Sequence, residues 1–174
     1  VFYNNFIKKN IYEENSQHLL STYEQVDKTF TMFVQHNWNA LSDWSNNLQY
    51  LDDAENMKTL WYDFARRKDA WQYQDFYMFN ENCDFITAAG RDGNAPNIQG
   101  IFLDMYETGQ PVISSYIASD SNRRIVFALP MDVPYTINGI TYSGLAVSYN
   151  NDVVEKLIAG NIYQGQSDCY ILTS

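Results

Sequence analysis

The stretch DFYMFNENCDFITAAG, residues 75–90, decides the fold. Phe76 to Asn80 and Phe85 to Ala89 are runs rich in Phe, Tyr and Ile on either side of the polar ENCD. That pattern predicts two strands joined by a tight turn. The chain before it has another period. From Leu19 to Leu48, large apolar residues recur at Leu19, Leu20, Tyr23, Val26, Phe30, Phe33, Val34, Trp38, Leu41, Trp44 and Leu48. Steps of three and four make an amphipathic helix. No proline occurs before Pro96, so the helix can reach back to Tyr3, about 45 residues and nearly 70 Å. Before Leu19 the pattern thins to Phe6, Ile7, Ile11 and Tyr12, a weaker face fit to stand free or to pack on something outside the chain.

DAENMKTLWYDFARR, from Asp53, predicts a second helical segment with Asp53 as its cap and Leu60, Trp61 and Phe64 on its apolar side. After the first two strands, GRDGNAPNIQG reads as a loop, and IFLDMYETG as a short helix stopped by Gly109. Three more strands follow, Val112–Ala118, Arg124–Met131 and Thr141–Tyr149, linked by SDSN and PYTINGI. NNDVVEKLIAG is a helix with Asp152 and Glu155 at capping-box spacing and Gly160 as its stop. SDCYILTS reads as a final strand. The class is α+β: a long N-terminal helix on one face of a five-stranded antiparallel sheet, with the loop and helix from Arg91 to Gly109 over the other. A small molecule would sit between that cover and the sheet.

Composition narrows the function. The 174 residues are 45% hydrophobic and 16% aromatic, with 14 tyrosines, enough for a packed core. A net charge of −10 repels nucleic acid and anionic lipid over most of the surface. No apolar run approaches the roughly 20 residues that span a bilayer. The opening VFYNNFIKKN starts in mid-pattern without a signal peptide, as expected of a piece of a longer protein.

The chain lacks G-x-x-x-x-G-K-[ST], H-E-x-x-H and C-x-x-C. Cys83 and Cys169 are no framework and no metal site; they read as two free thiols, with one disulfide as the alternative. His18 and His36 are five helical turns apart, about 27 Å, and cannot share a metal. Neither lies near a strand end, so neither completes a catalytic triad. No catalytic residue, metal or cofactor is expected. Candidate ligand contacts are Trp71 at the helix-to-strand junction, Arg91 in the loop, Asp104 and Tyr106 in the crossover helix, and Tyr116, Phe127 and Val147 on strands. Arg91 suits a ligand carboxylate, although a surface pairing with Asp92 or Asp104 is the plainer expectation. The fifth strand alternates Gly144, Ala146 and Ser148 with Leu145, Val147 and Tyr149. The small set leaves room for close approach by the long helix or by a ligand.

The order of these pieces, with FYMFNENCDFITAAG, PVISSYIASDSNRRIVFALPM and GITYSGLAVSYNNDVVEKL, resembles the Cache family of PAS-like extracytoplasmic sensor domains of bacterial receptors. The resemblance covers nearly the whole chain. It implies the strand order 2-1-5-4-3, with a ligand held under the crossover between the second and third strands. It also implies three segments: residues 1–52 as the long helix, 53–165 as the sensor module, and 166–174 as the first strand of a second, membrane-proximal module. Cys83 and Cys169 then belong to different modules. The parent would be a histidine kinase, diguanylate cyclase or chemoreceptor anchored by a transmembrane helix, and a parallel homodimer through the N-terminal helix is expected. The rivals are a secreted enzyme or carbohydrate-binding module, and a sensor module without a small ligand.

Amino-acid-binding Cache domains carry an Arg-x-Trp-Tyr motif in the crossover, a tyrosine in the third strand, and in the fifth an aspartate that pairs with the ligand ammonium. Here the crossover helix IFLDMYETG has neither arginine nor tryptophan. Tyr116 matches the tyrosine, and Val147 stands at the aspartate position. A valine cannot neutralise an ammonium, and an unpaired charge in a partly dry pocket costs several kcal/mol. The resemblance therefore points away from an α-amino acid, toward a less polar or an anionic ligand, or none.

Overall fold

The computed structural model describes residues 2–48, 50, 62, 66–68 and 72–163. The expected terminal strand, Cys169, Trp71 and most of the segment after Asp53 lie outside the described residues; Tyr62 and Arg66 to Lys68 are helical. The chain divides into two compact units, one of the first 34 residues with the stretch from Glu155, the other from Gln35 to Val154. The long helix is real: α1 is one unbroken helix, Phe2–Leu48.

In the first unit, the N-terminal part of α1 exposes Tyr12, Leu19, Leu20, Tyr23 and Met32. His18 is exposed as well. Helix α3, Asn151–Tyr163, starts with Asp152 in its first turn, where a carboxylate meets the positive end of the helix. The expected stop at Gly160 is not there. The helix continues to Tyr163, because glycine permits a helix stop without requiring one.

The second unit is an antiparallel sheet of six strands: β1 Asp75–Phe79, β2 Asp84–Thr87, β3 Asp92–Asn94, β4 Val112–Ile117, β5 Arg123–Ile137 and β6 Ile140–Asn150. Their order is β3-β2-β1-β6-β5-β4. This is the expected order with one more strand at the edge, so five strands becomes six. The added strand reads DGN and has no strand propensity. The turn before it builds it: Gly90 takes φ +76°, Thr87 N donates to Arg91 O at 2.7 Å, and Asn94 Nδ2 donates to Asp84 Oδ1 at 2.8 Å. The expected PYTINGI loop shrinks to Asn138 and Gly139, both at positive φ, the two-residue hairpin turn that Asn-Gly favours.

Register fixes the faces. Asp75, Tyr77 and Phe79 of β1 oppose Ser148, Ala146 and Gly144 of β6. These residues share one face with Val126 and Ala128 of β5. Phe76, Val147 and Phe127 share the other, which the C-terminal part of α1 covers. There Asn37, Leu41, Trp44, Ser45 and Leu48 are buried at the steps of three and four that one helix face presents. Trp38 meets Phe127 edge-on at 5.4 Å, Trp44 lies 4.6 Å from Phe76, and the Tyr149 hydroxyl donates to Asn37 Oδ1 at 2.8 Å.

The opposite face carries the crossover. A short 3-10 turn, Pro96–Ile98, leads into α2, Gln99–Thr108. Gly109 ends α2 as expected, at φ +64°, with its N–H donated to Met105 O at 2.8 Å. Phe102 and Met105 are buried, and Phe102 stacks on Phe79 at 3.7 Å. Gly144 makes room for that stack, since a Cβ there would stand 2.5 Å from the Phe79 ring. The small face of β6 thus serves side-chain packing under α2, not the approach of the long helix.

Candidate ligand site

Under α2 the sheet is closed off by side chains. Ile98, Phe102 and Met105 form one core with Tyr77, Phe79 and Ala146. Beside it, the same face opens into a cleft of about 430 Å³. The walls are the β2–β3 hairpin, the start of the crossover and the end of β4, contributing Phe85, Thr87, Ile98 and Tyr116. The volume suits a small organic molecule.

Charges gather at the cleft. Arg124 Nη1 lies 3.2 Å from Asp75 Oδ2, and Arg91 Nη2 lies 2.8 Å from Asp75 Oδ1. Arg124 Nη2 also holds Asp120 Oδ2 at 2.8 Å. Arg124 and Asp75 are largely buried, at 13% and 17% side-chain exposure, whereas Arg91 is 68% exposed. Burial works against the Arg124 charge, but its hydrogen bond to Asp120 and the neighbouring Tyr116 outweigh that and raise its pKa. Asp120 is held below its ordinary range by the Asn122 backbone N–H, 3.1 Å away, and then by Arg124.

Tyr77 reaches the cleft from the core. Its ring faces Phe102, centroids 6.4 Å apart, and its hydroxyl lies near Tyr116, Asp75 and Arg124. Burial, then Tyr116 and Asp75, push its pKa well above the ordinary value. Tyr116 is the side chain that neighbours both the Tyr77 hydroxyl and the Arg124 guanidinium.

Of the residues singled out in the sequence, Arg91 and Tyr116 line this cleft. Arg91 is paired, as the plainer expectation had it, but with Asp75 rather than Asp92 or Asp104. Tyr106 belongs to the packing under α2: its hydroxyl receives Ser143 Oγ at 3.0 Å and donates to Phe79 O at 3.4 Å. Asp104 is exposed and borders a separate open groove of about 450 Å³ between α2 and β4. Phe127 and Val147 face α1 instead. Val147 edges an apolar space of about 20 Å³ beside Asn37 and Trp44, room for a single water-sized body. The missing charge at Val147 therefore says nothing about the cleft. Trp71 lies outside the described residues.

Sequence reasoning passed over Asp75, Tyr77 and Arg124. The alternation of DFYMF already groups Asp75, Tyr77 and Phe79 on one face. A charged residue at the start of a strand otherwise apolar on that face was the available signal. Among the described residues there is no group of three or more metal-ligating side chains, and no helix long and apolar enough to cross a membrane. Cys83 is buried, with its thiol pushed up by burial and by Asp84.

No family model and no curated protein matches the sequence. Solved structures do. The sensory domain of the Campylobacter jejuni chemoreceptor Tlp3, with isoleucine bound, superposes with a TM-score of 0.62 at 14% identity, over 88% of this chain and 66% of that one. This chain therefore shares the fold of that sensory domain. The ligand-binding domain of the Pseudomonas aeruginosa amino-acid chemoreceptor PctC, in complex with GABA, gives 0.54 at 11% identity, over 80% of this chain and 63% of that one. The sensor domain of the V. cholerae histidine kinase DctB gives 0.54 at 13%, over 86% and 60%. This chain thus spans 60 to 66% of the length of these three.

Proposed function

We propose that this chain is the extracytoplasmic ligand-sensing part of a bacterial transmembrane signalling receptor, a chemoreceptor, histidine kinase or diguanylate cyclase. The observation that carries the reading is the charged cleft of about 430 Å³ on the crossover face, in a fold shared with ligand-binding sensory domains. On this reading the chain is the membrane-distal module of a two-module ectodomain. Its anchor lies outside the sequence, and two copies pair in parallel along the exposed part of α1. Ligand binding shifts the sheet against α1, and the Asn37–Tyr149 hydrogen bond passes the shift to the helix.

A module without a small ligand has one observation on its side: Phe102 and Met105 fill the space directly under α2. The cleft beside them argues for a ligand, because side-chain packing alone gives no reason to gather four charged residues, Asp75, Arg91, Asp92 and Arg124, around an open space. A thermal-shift screen of the chain against a metabolite library tests the reading. A ligand at a hundred times its Kd adds about 2.7 kcal/mol of stability. The expected result is at least one hit that Ala118→Trp, at the cleft wall, abolishes. A screen without hits, or hits indifferent to that substitution, overturns it.

A further inference from the structure

We infer that the groove between α2 and β4 takes an extended peptide, which adds to β4 as one more strand and sets a basic side chain against Asp104. This surface is separate from the cleft of the sensor reading and does not depend on it.

The two edges of the sheet are built differently. At one end, β3 is three residues long and reads DGN, short and charged, as exposed edges are when they must not pair. At the other, β4 reads VISSYI, six residues without a charge, a proline or a break in register against β5. Among the described residues no strand pairs with its outer side. Ala118 N donates to Asn122 O at 2.9 Å, across the turn from β4 to β5. From there the alternation of an antiparallel ladder turns the N–H and C=O of Tyr116, Ser114 and Val112 toward β5, and those of Ile117, Ser115 and Ile113 outward. Ile113 and Ile117 are also 42% and 64% exposed.

The groove of about 450 Å³ follows this edge. Val112, Ile113, Ser114, Ser115 and Tyr116 all line it. Neighbours in a strand point to opposite faces, so consecutive residues share one groove only along the edge itself. The other wall is α2, with Gly100, Ile101 and Asp104. A free strand edge offers alternating donors and acceptors, and another backbone in extended form matches that row. With a helix beside it, the edge gives main-chain pairing and the walls select side chains, as in peptide binding by strand addition. Ile101 and Val112 supply apolar contact, and the exposed Asp104 carboxylate selects a basic residue. The net charge of −10 favours a basic partner in the same sense. A second copy of this chain is the poorer occupant. It carries the same charge, and antiparallel pairing of β4 with itself would turn its α1 end over end, against the parallel pairing proposed above.

Selection of short random peptides displayed on phage against the 174-residue chain, followed by synthesis of the enriched peptides, tests this. Enriched peptides should carry lysine or arginine among alternating apolar residues. N-methylation of one alternate set of peptide amides, the set that faces β4, should weaken binding about tenfold or more, and methylation of the other set should not. Ser115→Pro removes an outward N–H and no bond to β5, and should weaken binding likewise. Asp104→Lys should weaken the basic peptides about tenfold. Hydrogen exchange on the unaltered chain decides the matter without a variant: the amides of Ile113, Ser115 and Ile117 should exchange fast alone and slowly with peptide bound. A selection that enriches nothing, binders indifferent to N-methylation of either set, or β4 amides that stay unprotected with peptide bound overturn the inference. So does a dimer of the free chain that Ser115→Pro dissociates, which would assign the edge to a second copy.

Discussion

Asp75 and Arg124 form an ion pair across a strand that belongs to neither. Asp75 is on β1 and Arg124 on β5, and β6 runs between them. The β6 residue opposite Asp75 is Ser148, fully buried. Its short side chain lets the two longer ones close over it to 3.2 Å. A larger residue would fill the gap and part them. Ser148→Leu is expected to destabilise the protein by about 1–3 kcal/mol through overpacking. Urea denaturation measures this, and a neutral result would mean that the bridge does not depend on the space over Ser148.

The two arginines on Asp75 should differ in weight. Arg91 is exposed to solvent, where an ion pair contributes little, so Arg91→Ala should change stability by less than about 1 kcal/mol. Asp75→Ala removes the more buried of the two carboxylates that pair with the largely buried Arg124, and about 2–3 kcal/mol should be lost. Denaturant midpoints at low and high salt check the ranking. Equal effects would contradict the burial difference.

Gly144 is a packing position. Any Cβ there collides with the Phe79 ring, whose stacking partner is Phe102. Gly144→Ala should cost about 1–3 kcal/mol, and Phe79→Leu in the same chain should recover part of it by clearing the ring. A double-mutant cycle on unfolding free energies reads the coupling.

Stability should fall in alkali. Burial comes first among the causes that raise the pKa of Tyr77, Tyr142 and Tyr149, and it pushes Tyr106 from 10.0 up to about 12. Above the ordinary tyrosine value the unfolded chain gives up these protons while the folded chain keeps them. The folded state then binds more protons, and stability declines as pH rises, by at most about 1.4 kcal/mol per pH unit for each tyrosine involved. Below the ordinary value these groups contribute no slope. Urea midpoints at rising pH, with tyrosinate absorbance followed in parallel, should show the decline beginning near pH 10. Tyr106→Phe should lessen it.

The contact between α1 and the sheet has a polar centre. Asn37→Ala leaves the Tyr149 hydroxyl without the 2.8 Å acceptor in a buried site, at about 1–3 kcal/mol. Tyr149→Phe removes the same hydrogen bond and should also destabilise, by about 0.5–1.5 kcal/mol. Unfolding free energies of the two single variants and the double variant read the coupling, and strictly additive losses would mean that this bond contributes nothing.

Local chemistry explains what was legible beforehand. The helical period of α1, the strands on either side of ENCD and the Gly109 stop are each written in a few adjacent residues, because backbone conformation is chosen locally. The edge strand at Asp92–Asn94 was not legible: its residues have no preference for it, and side-chain hydrogen bonds from Asn94 to Asp84 and Asn82 O hold it in place. Gly160 misled because glycine permits a helix stop without requiring one.

The amino-acid sequence by itself determined which residues of each strand share a face, since alternation has a period of two. It placed Val147 opposite Ala146 and grouped Asp75 with Tyr77. Only the tertiary structure decided which of those faces meets α1 and which meets α2, because a period of two is the same read from either side. That choice moved Phe127 and Val147 away from the cleft. It also brought Asp75 and Tyr77 of β1 and Arg124 of β5 to one place.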